Sequence, residues 1–271
     1  MPELTVREHH GVLTTVGMLR YSAERTPNTV ALRIFRNGTY EEFTYQQFAD
    51  KVDQLAAGLI NLGVTPGEHV SVLGENRPEW AIAYMAVHRA GAVAVPLDSL
   101  LKAGEFRHII GDASVERIIV SGRFIPDILE VRDALGEPTT IICMDDDRGG
   151  IDDPSGILAM SEVMTTELPA DFPELTLDNL AAIIYTSGTT GQSKGVMLSQ
   201  GNIGSDVAGA FQSIEYDEND NFLSVLPLHH TFECTGGFLV PVYGGSSITY
   251  SRSLKSRDII EDTKNTGATL M

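Results

Sequence analysis

The sequence predicts an α/β fold, with mainly parallel β-sheets flanked by helices. Short apolar runs typical of buried strands alternate along the chain with segments of helical periodicity, which is the order that βαβ units produce. Hydrophobic residues make up 42% and charged residues 21% of the chain, as is ordinary for a globular protein with a buried core. The most membrane-like run, 80–97, contains His88 and Arg89 and is broken by Gly91, so it predicts a core helix and a strand.

The strands are predicted from apolar runs bounded by turn residues. In chain order they are 30–35, 40–43, 70–73, 92–97, 117–120, 140–143, 180–185, 196–198, 222–226 and 247–250. Asn37-Gly38 joins the first two strands, because this dipeptide is typical of tight hairpin turns. The later strands alternate with helices, so most of them are expected to run parallel.

The helices are predicted from their end signals and their apolar spacing. Thr44 and Gln47 have the spacing of a capping box, and apolar residues then recur on one helical face. Pro78 stands where the next helix begins, since proline is favoured in the first helical turn. Ser199 is the predicted cap of a later helix, and 256–266 is predicted to be helical.

Two polar stretches interrupt this alternation. The proline-containing stretch at 167–179 is the predicted boundary between a first α/β subdomain, 1–175, and the start of a second, 176–271. The stretch at 145–156 resembles a calcium loop, but Gly156 stands where such a loop needs its bidentate glutamate. A solvated loop is therefore predicted there, and no metal site is predicted in the chain.

Charge and cysteine content exclude two classes of protein. With 19 basic and 37 acidic residues the formal charge is −18, which disfavours a nucleic-acid partner and requires any phosphate site to be local. The two cysteines, Cys143 and Cys234, are too few for a disulfide scaffold or a four-thiolate zinc site. Both lie in apolar surroundings and predict buried thiols in a reducing compartment. The N-terminus lacks an apolar signal core, so a cytoplasmic location is expected.

The segment 185–195, YTSGTTGQSKG, follows an apolar strand and carries the clearest chemistry. Glycines let several backbone N–H groups converge, hydroxyl groups add donors, and Lys194 adds a mobile positive charge. Together these features predict a cradle for a polyphosphate. The spacing differs from the Walker pattern, because Ser193 stands at the position of its second glycine and Gly195 follows the lysine.

This segment closely resembles the signature phosphate loop of the adenylate-forming superfamily, which contains acyl-CoA synthetases, aryl-CoA ligases, luciferases and the adenylation domains of peptide synthetases. Other segments resemble the family in the same order, namely FTYQQF at 43–48, HRAGAVAVPLD at 88–98 and LPLHHTF at 226–232. Glu233 directly after the last segment is more similar to the long-chain fatty acyl-CoA synthetase branch than to the amino-acid activating branch. The resemblance extends from about residue 12 to the end of the chain.

The resemblance implies particular site residues. Those expected to hold the pyrophosphate part of ATP are Thr186, Ser187, Gly188, Thr189, Thr190, Gly191 and Lys194. His230 aligns with the family's histidine between acyl carboxylate and nucleotide, and it is the expected catalytic residue. Because adjacent residues of an extended segment point to opposite faces, His229 is expected to face away. The remaining histidines are expected to be structural or exposed, namely His9, His10, His69, His88 and His108.

Small residues after the histidines suggest an acyl pocket. The candidates are Thr231, Phe232, Gly236 and Gly237. Small residues beside an apolar helix leave room for an acyl chain, and they equally permit close helix packing. Both interpretations stay open from the sequence.

The implied activity is that of an AMP-forming fatty acid–CoA ligase. It activates the acid with ATP and Mg²⁺ to an acyl adenylate and then forms the thioester with coenzyme A. The family's magnesium glutamate in a Y-G-x-T-E segment, its ribose aspartate and its C-terminal lysine are not found in the 271 residues. The chain is therefore expected to be an N-terminal portion of a longer ligase, inactive alone. The alternative is a short, non-catalytic relative that binds a nucleotide or a partner. Peripheral membrane contact and oligomeric state are left open.

Overall fold

The computed structural model describes residues 13–135, 140–150, 156–186 and 193–271. The strands are β1 (Val30–Arg36), β2 (Thr39–Thr44), β3 (His69–Leu73), β4 (Val93–Leu97), β5 (Arg117–Val120), β6 (Thr140–Cys143), β7 (Ile157–Ala159), β8 (Leu180–Thr186), β9 (Lys194–Ser199), β10 (Asn221–Ser224) and β11 (Ser247–Tyr250). The α-helices are α1 (Thr15–Arg25), α2 (Tyr45–Asn61), α3 (Pro78–Arg89), α4 (Ala103–Asp112), α5 (Ile125–Leu135), α6 (Met160–Val163), α7 (Gln200–Ser213), α8 (Thr231–Glu233), α9 (Val240–Gly244) and α10 (Ser256–Thr266). A π-helix, Cys234–Leu239, connects α8 to α9.

The strands form two sheets, and the predicted α/β fold is confirmed. The larger sheet has the order β7-β6-β5-β3-β4-β8-β9, in which every pair is parallel except β8 with β9. The smaller sheet has the order β10-β11-β1-β2, in which only β2 runs antiparallel to its neighbour. In the described part of the chain, no helix combines the length and apolar content that crossing a bilayer requires.

Helices cover both faces of the larger sheet because successive strand residues point to opposite sides. Val70, Val72 and Ala94 belong to the core that packs against α2 and α3. Val93 and Val95 belong to a second core that packs against α4 and α5. The near-continuous apolar runs of the sequence therefore mark strands that are buried on both faces.

The predicted hairpin and capping box are both present. Asn37 has φ 51° and Gly38 has φ 85°, the left-handed backbone that tight hairpin turns require. The Thr44 hydroxyl accepts a hydrogen bond from the Gln47 backbone N–H at 3.2 Å, and the Gln47 side chain accepts one from the Thr44 N–H at 2.9 Å. Both cysteines, predicted to be buried thiols, are free and buried.

The predicted subdomain boundary near residue 175 lies in the connection between α6 and β8. Both sheets combine strands from either side of it, since β1 pairs with β11 and β4 pairs with β8. The connection itself packs on the first part of the chain. The Arg89 guanidinium lies 3.7 Å from the ring centroid of Phe172, and a Cβ atom on Gly91 would approach Pro173 to 3.0 Å. Neither sheet is interrupted at the boundary, and the division into subdomains stays a prediction.

Candidate active site

The topology opens a crevice at the carboxyl ends of β4 and β8. These neighbouring strands are parallel, but the chain leaves β4 toward β5 and leaves β8 toward β9, on opposite sides. Diverging connections of this kind leave a crevice where open α/β sheets bind ligands. A cleft of about 690 Å³ lies there. It is lined by Pro96, Asp98, Leu101, Gly104, Glu105, His108, Ile109, Ile184, Tyr185, Thr186, Ser193, His229, His230 and Thr231.

One wall of the cleft is made by the two ends of the predicted phosphate loop. β8 extends through Thr186 and β9 begins at Lys194, and these two residues face each other in an antiparallel pair. The prediction of a strand running directly into the loop is confirmed. Thr186 lines the cleft, and Lys194 follows Ser193 with an exposed side chain. The other predicted loop residues lie outside the described residues, namely Ser187, Gly188, Thr189, Thr190 and Gly191.

A second wall is the histidine segment, residues 226–231, and Asn76 holds it in place. The Asn76 Nδ2 donates to the Leu226 carbonyl at 2.6 Å, and the Leu228 N–H donates to Asn76 Oδ1 at 3.0 Å. The segment forms a turn at residues 228–229. The expectation that His229 faces away is therefore wrong, because the alternation of an extended strand does not apply in a turn. His229 and His230 both line the cleft.

The two histidines differ in their surroundings. His229 Nε2 lies 3.3 Å from Asp98 Oδ1. Burial lowers the pKa of His229, and the nearby His230 lowers it further, while Asp98 opposes both effects. The lowered pKa favours the neutral form of His229 at pH 7. His230 is exposed, and its Nδ1 accepts from the Phe232 N–H at 3.4 Å. That contact leaves Nε2–H of His230 as the free donor.

The four acyl-pocket candidates lie in different surroundings. Thr231 lines the cleft, the Phe232 side chain is 70% exposed, and a Cβ atom on Gly236 would meet open space. A Cβ atom on Gly237 would lie 2.5 Å from the carboxylate of Glu233. A side chain at position 237 would therefore collide with that buried carboxylate.

Glu233 is buried beside the π-helix. Its Oε1 accepts a hydrogen bond from Ser224 Oγ at 2.6 Å, and burial raises its pKa above the ordinary glutamate value. Ser224 also accepts from Asn76 Nδ2 at 2.9 Å. Glu233 is thus linked to the histidine segment through Ser224 and Asn76. The sequence motif does not reveal this link.

Among the other histidines, His88 has the predicted structural role, being fully buried between a hydroxyl and a carbonyl group. His108 lies outside every sequence motif, yet the structure places it on the cleft wall. Its Nε2 lies 3.1 Å from the Ser193 carbonyl oxygen. Asp98 and Glu105 also line the cleft. Asp98 directly follows β4, a position at the carboxyl end of a central strand that could have revealed it, whereas Glu105 and His108 lie further on, in α4.

The donor set near Thr186 suits a polyphosphate. A hydroxyl group, the free Nε2–H of His230 and the ammonium of Lys194 all favour anionic oxygens. The described residues offer no comparable site for a protein-bound metal. Within the described ranges, no three histidine, cysteine or acidic residues are arranged to hold a metal ion.

Sequence comparison shows relatives that act on different acids. Fatty acyl-CoA synthetase A of Dictyostelium discoideum is 26% identical over 255 residues, which cover 90% of this chain and 38% of that protein. Indoleacetate–CoA ligase of Aromatoleum aromaticum is 33% identical over 189 residues, which cover 70% of this chain and 36% of that protein. The chain spans well under half the length of either relative.

A solved structure and a family model also match this chain. The Mycobacterium tuberculosis fatty acyl CoA synthetase superposes with a TM-score of 0.79 at 23% identity, covering 96% of this chain and 49% of that structure, so the fold is shared. The family model described as AMP-binding enzyme matches residues 19–271, nearly the whole chain. The chain therefore belongs to the AMP-binding enzymes, the adenylate-forming family whose relatives here are acyl-CoA synthetases and ligases.

Proposed function

We propose that the chain is the nucleotide-binding N-terminal part of an AMP-forming acid–CoA ligase. One observation carries this proposal: both ends of the phosphate loop and both residues His229 and His230 meet at one cleft beside β4 and β8. A cleft of about 690 Å³ is in the size range of small-molecule sites. ATP, Mg²⁺, coenzyme A and a carboxylic acid are the proposed small-molecule partners, in a cytoplasmic protein.

The chemistry explains why such residues should converge. A carboxylate is a poor electrophile, so the acid is first activated: its oxygen attacks the α-phosphorus of ATP, and pyrophosphate leaves. The thiol of coenzyme A then attacks the acyl carbonyl, and AMP leaves. The first step brings a carboxylate against a triphosphate, and this like-charge repulsion must be offset by donors and cations. Thr186, the rest of the phosphate loop and Lys194 are the proposed groups on the departing pyrophosphate.

His230 is the proposed catalytic residue at the reacting end. Its free Nε2–H can donate a hydrogen bond to the oxygen that bridges acid and phosphate, where negative charge shifts during the reaction. The neutral His229 has the proposed positioning role, because its Nε2 lies 3.3 Å from Asp98 Oδ1, where the histidine segment meets the end of β4.

A fatty acid is the proposed acid. The sequence support is Glu233 directly after LPLHHTF, together with relatives named for fatty acyl substrates. The proposed contacts of the acyl chain stay Thr231, Phe232, Gly236 and Gly237. The indoleacetate-specific name of another relative makes an aryl acid the natural competitor in any substrate test.

Replacing Lys194 by alanine should weaken binding of Mg²⁺·ATP about ten- to a hundredfold. The reason is the loss of one charge-assisted contact to phosphate, worth about 1.5–3 kcal/mol. Isothermal titration of the 271-residue chain checks this. Lys264→Ala is the matched control, since it removes an exposed lysine of α10 and changes the net charge equally. Equal affinities for wild type and Lys194→Ala would remove the phosphate-loop assignment.

The 271-residue chain alone should bind Mg²⁺·ATP but make no acyl-CoA. The segments to which the resemblance assigns the magnesium glutamate, the ribose aspartate and the catalytic lysine are not among its residues, and losing several coupled groups leaves little turnover. The assay is thioester formation from palmitate, ATP, Mg²⁺ and coenzyme A. Steady turnover that Lys194→Ala abolishes would show that the chain is a complete enzyme.

The acid itself is identified by pyrophosphate exchange with a panel of carboxylic acids, using the full-length form of the proposed ligase. We expect medium- and long-chain fatty acids to support exchange better than benzoate or indoleacetate. Preference for an aryl acid would overturn the fatty-acid proposal and leave the ligase proposal standing. Nucleotide binding without exchange for any acid would favour the non-catalytic alternative.

A further inference from the structure

Both ends of the phosphate loop are tied to a single helix, α4. On one side of the loop, His108 Nε2 donates to the Ser193 carbonyl at 3.1 Å, and Ser193 directly precedes Lys194. A carbonyl oxygen only accepts, so Nε2 carries the proton. On the other side, the Tyr185 hydroxyl donates to Asp112 Oδ2 at 2.6 Å, and Tyr185 directly precedes Thr186.

α4 is suited to act as a support because one of its faces packs in the core and the opposite face contacts the loop ends. Phe106, Ile109 and Ile110 are buried in the core beneath the helix. His108 and Asp112 stand four residues apart and therefore share the opposite face, toward the loop. The helix is thus held firmly by its apolar side while its polar side reaches the loop ends.

The contact with Tyr185 depends on a glycine in the neighbouring strand. Tyr185 and Gly195 are paired across β8 and β9. A Cβ atom at Gly195 would lie 3.2 Å from Cζ of Tyr185 and 2.7 Å from Cγ2 of Ile183, so a larger residue would displace the ring. Burial and the Asp112 carboxylate raise the pKa of Tyr185, so its hydroxyl remains a donor at neutral pH.

The two residues that make these bonds to the loop ends and to α4, His108 and Tyr185, also contact each other. The His108 and Tyr185 rings are 6.4 Å apart at their centroids and meet edge to face, with an interplanar angle of 84°. This geometry is favourable for aromatic pairs. Both rings line the cleft, so the loop ends, α4 and the cleft wall form one packed unit.

We propose that α4 is the support of the phosphate loop and that His108 is a positioning residue for Lys194. The ligand part of this inference rests on the proposed function. A phosphate cradle is effective only when its donors are held in place before the ligand arrives. His108 fixes the backbone next to Lys194, so its loss should reduce affinity for pyrophosphate without removing any phosphate contact.

Three variants of the 271-residue chain separate positioning from general stability. His108→Ala removes the bond to Ser193, His108→Gln keeps an N–H donor of similar reach, and Arg107→Ala changes the neighbouring exposed residue of the same helix. Affinity for Mg²⁺·pyrophosphate is measured by titration. The rate at which trypsin cleaves after Lys194 is measured by mass spectrometry, and the thermal midpoint reports global stability.

We expect His108→Ala to bind Mg²⁺·pyrophosphate about five- to tenfold more weakly, which is the effect of one lost neutral hydrogen bond. Cleavage after Lys194 should become several-fold faster while other cleavage sites keep their rates. His108→Gln should recover most of both properties, and Arg107→Ala should match wild type. Unchanged affinity and cleavage in His108→Ala, or a glutamine variant no better than alanine, would overturn the proposal.

Tyr185→Phe serves if His108→Ala does not fold. It keeps the ring on Gly195 but removes the hydroxyl that reaches Asp112, so faster cleavage after Lys194 is again expected. Unchanged cleavage would refute the support role of α4. If wild type binds neither pyrophosphate nor ATP, the proposed function fails, whereas the cleavage rates still decide whether α4 holds the loop ends.

Discussion

Lowering the pH from 7.5 to 5.0 should destabilise the protein by about 2 kcal/mol through one residue, His88. Its ring is fully buried, with Nδ1 2.7 Å from Thr15 Oγ1 and Nε2 2.9 Å from the Ala181 carbonyl oxygen. The carbonyl can only accept, so Nε2 carries the proton and Nδ1 accepts from the threonine hydroxyl. Burial lowers the pKa of His88 to about 4, because a charged ring in the core would lose its hydration.

The sign follows from where the proton binds. Below the ordinary histidine pKa of about 6.5 the unfolded chain takes up a proton, while folded His88 stays neutral down to about pH 4. Its neutral form therefore contributes full stability above pH 6.5, and this contribution declines as the pH falls toward 4. Over the interval from 6.5 to 5.0, at about 1.36 kcal/mol per pH unit, the loss is about 2 kcal/mol.

Urea unfolding of wild type and His88→Gln at the two pH values checks this. Glutamine does not titrate, so the variant should be less stable at pH 7.5 but should lose about 2 kcal/mol less than wild type on acidification. Part of the remaining decline is expected from His229, whose pKa burial also lowers. An equal decline in wild type and His88→Gln would show that His88 is not the group responsible.

Gly58→Ala should lower the free energy of unfolding by about 2–3 kcal/mol and the melting temperature by roughly 5–10 °C. Gly58 lies in the interior of α2, where alanine would ordinarily stabilise the helix by up to about 1 kcal/mol. Here, however, a Cβ atom would lie 1.9 Å from the backbone carbonyl oxygen of Val163 in α6. Backbone cannot rotate away as a side chain can, so α6 and α2 must separate.

The matched control is Gly209→Ala, which changes an exposed glycine inside α7 whose added Cβ atom would meet no atom within 4 Å. That variant should gain about 0.5–1 kcal/mol from the reduced entropy of the unfolded chain. Thermal unfolding of both variants separates packing from helix propensity. A Gly58→Ala protein as stable as Gly209→Ala would refute the close approach of α2 and α6.

Local signals were enough to predict most of the fold. The strands predicted at 117–120, 140–143 and 247–250 and the helix at 256–266 match the structure at both ends. Each is bounded by turn or polar residues, so a few neighbouring residues determine where the element begins and ends. The capping box at Thr44 succeeded for the same reason, because its partner is only three positions away.

What the sequence did not reveal depends on distant contacts. α1 was not predicted, and it is held by long-range bonds, such as the Thr15 N–H to Gln200 Oε1 at 2.9 Å. The strand at 196–198 was predicted, but its antiparallel pairing with β8 was not, because strand partners are chosen by the whole sheet.

In the candidate site, too, locally encoded features were predicted and features that depend on distant contacts were not. The phosphate-loop motif was visible in one stretch of sequence, and His230 was found by its place in a short segment. His108 was missed because its partner, Ser193, is 85 residues away. His229 was misjudged because the turn at residues 228–229 is stabilised by Asn76, which comes from a distant part of the chain. When a site is assembled from distant parts of the chain, its residues can be recognised only after the order of the strands is known.

The most direct test of the nucleotide site is a map of backbone hydrogen exchange in the 271-residue chain with and without Mg²⁺·ATP. We expect protection concentrated at three places: the loop ends around Thr186 and Lys194, the α4 segment around His108, and the histidine segment at 226–231. These are the walls of the cleft at the carboxyl ends of β4 and β8. Protection confined instead to the ends of β5 and β6, around Ser121 and Asp145, with the cleft walls unchanged, would contradict the assignment of this cleft to the nucleotide.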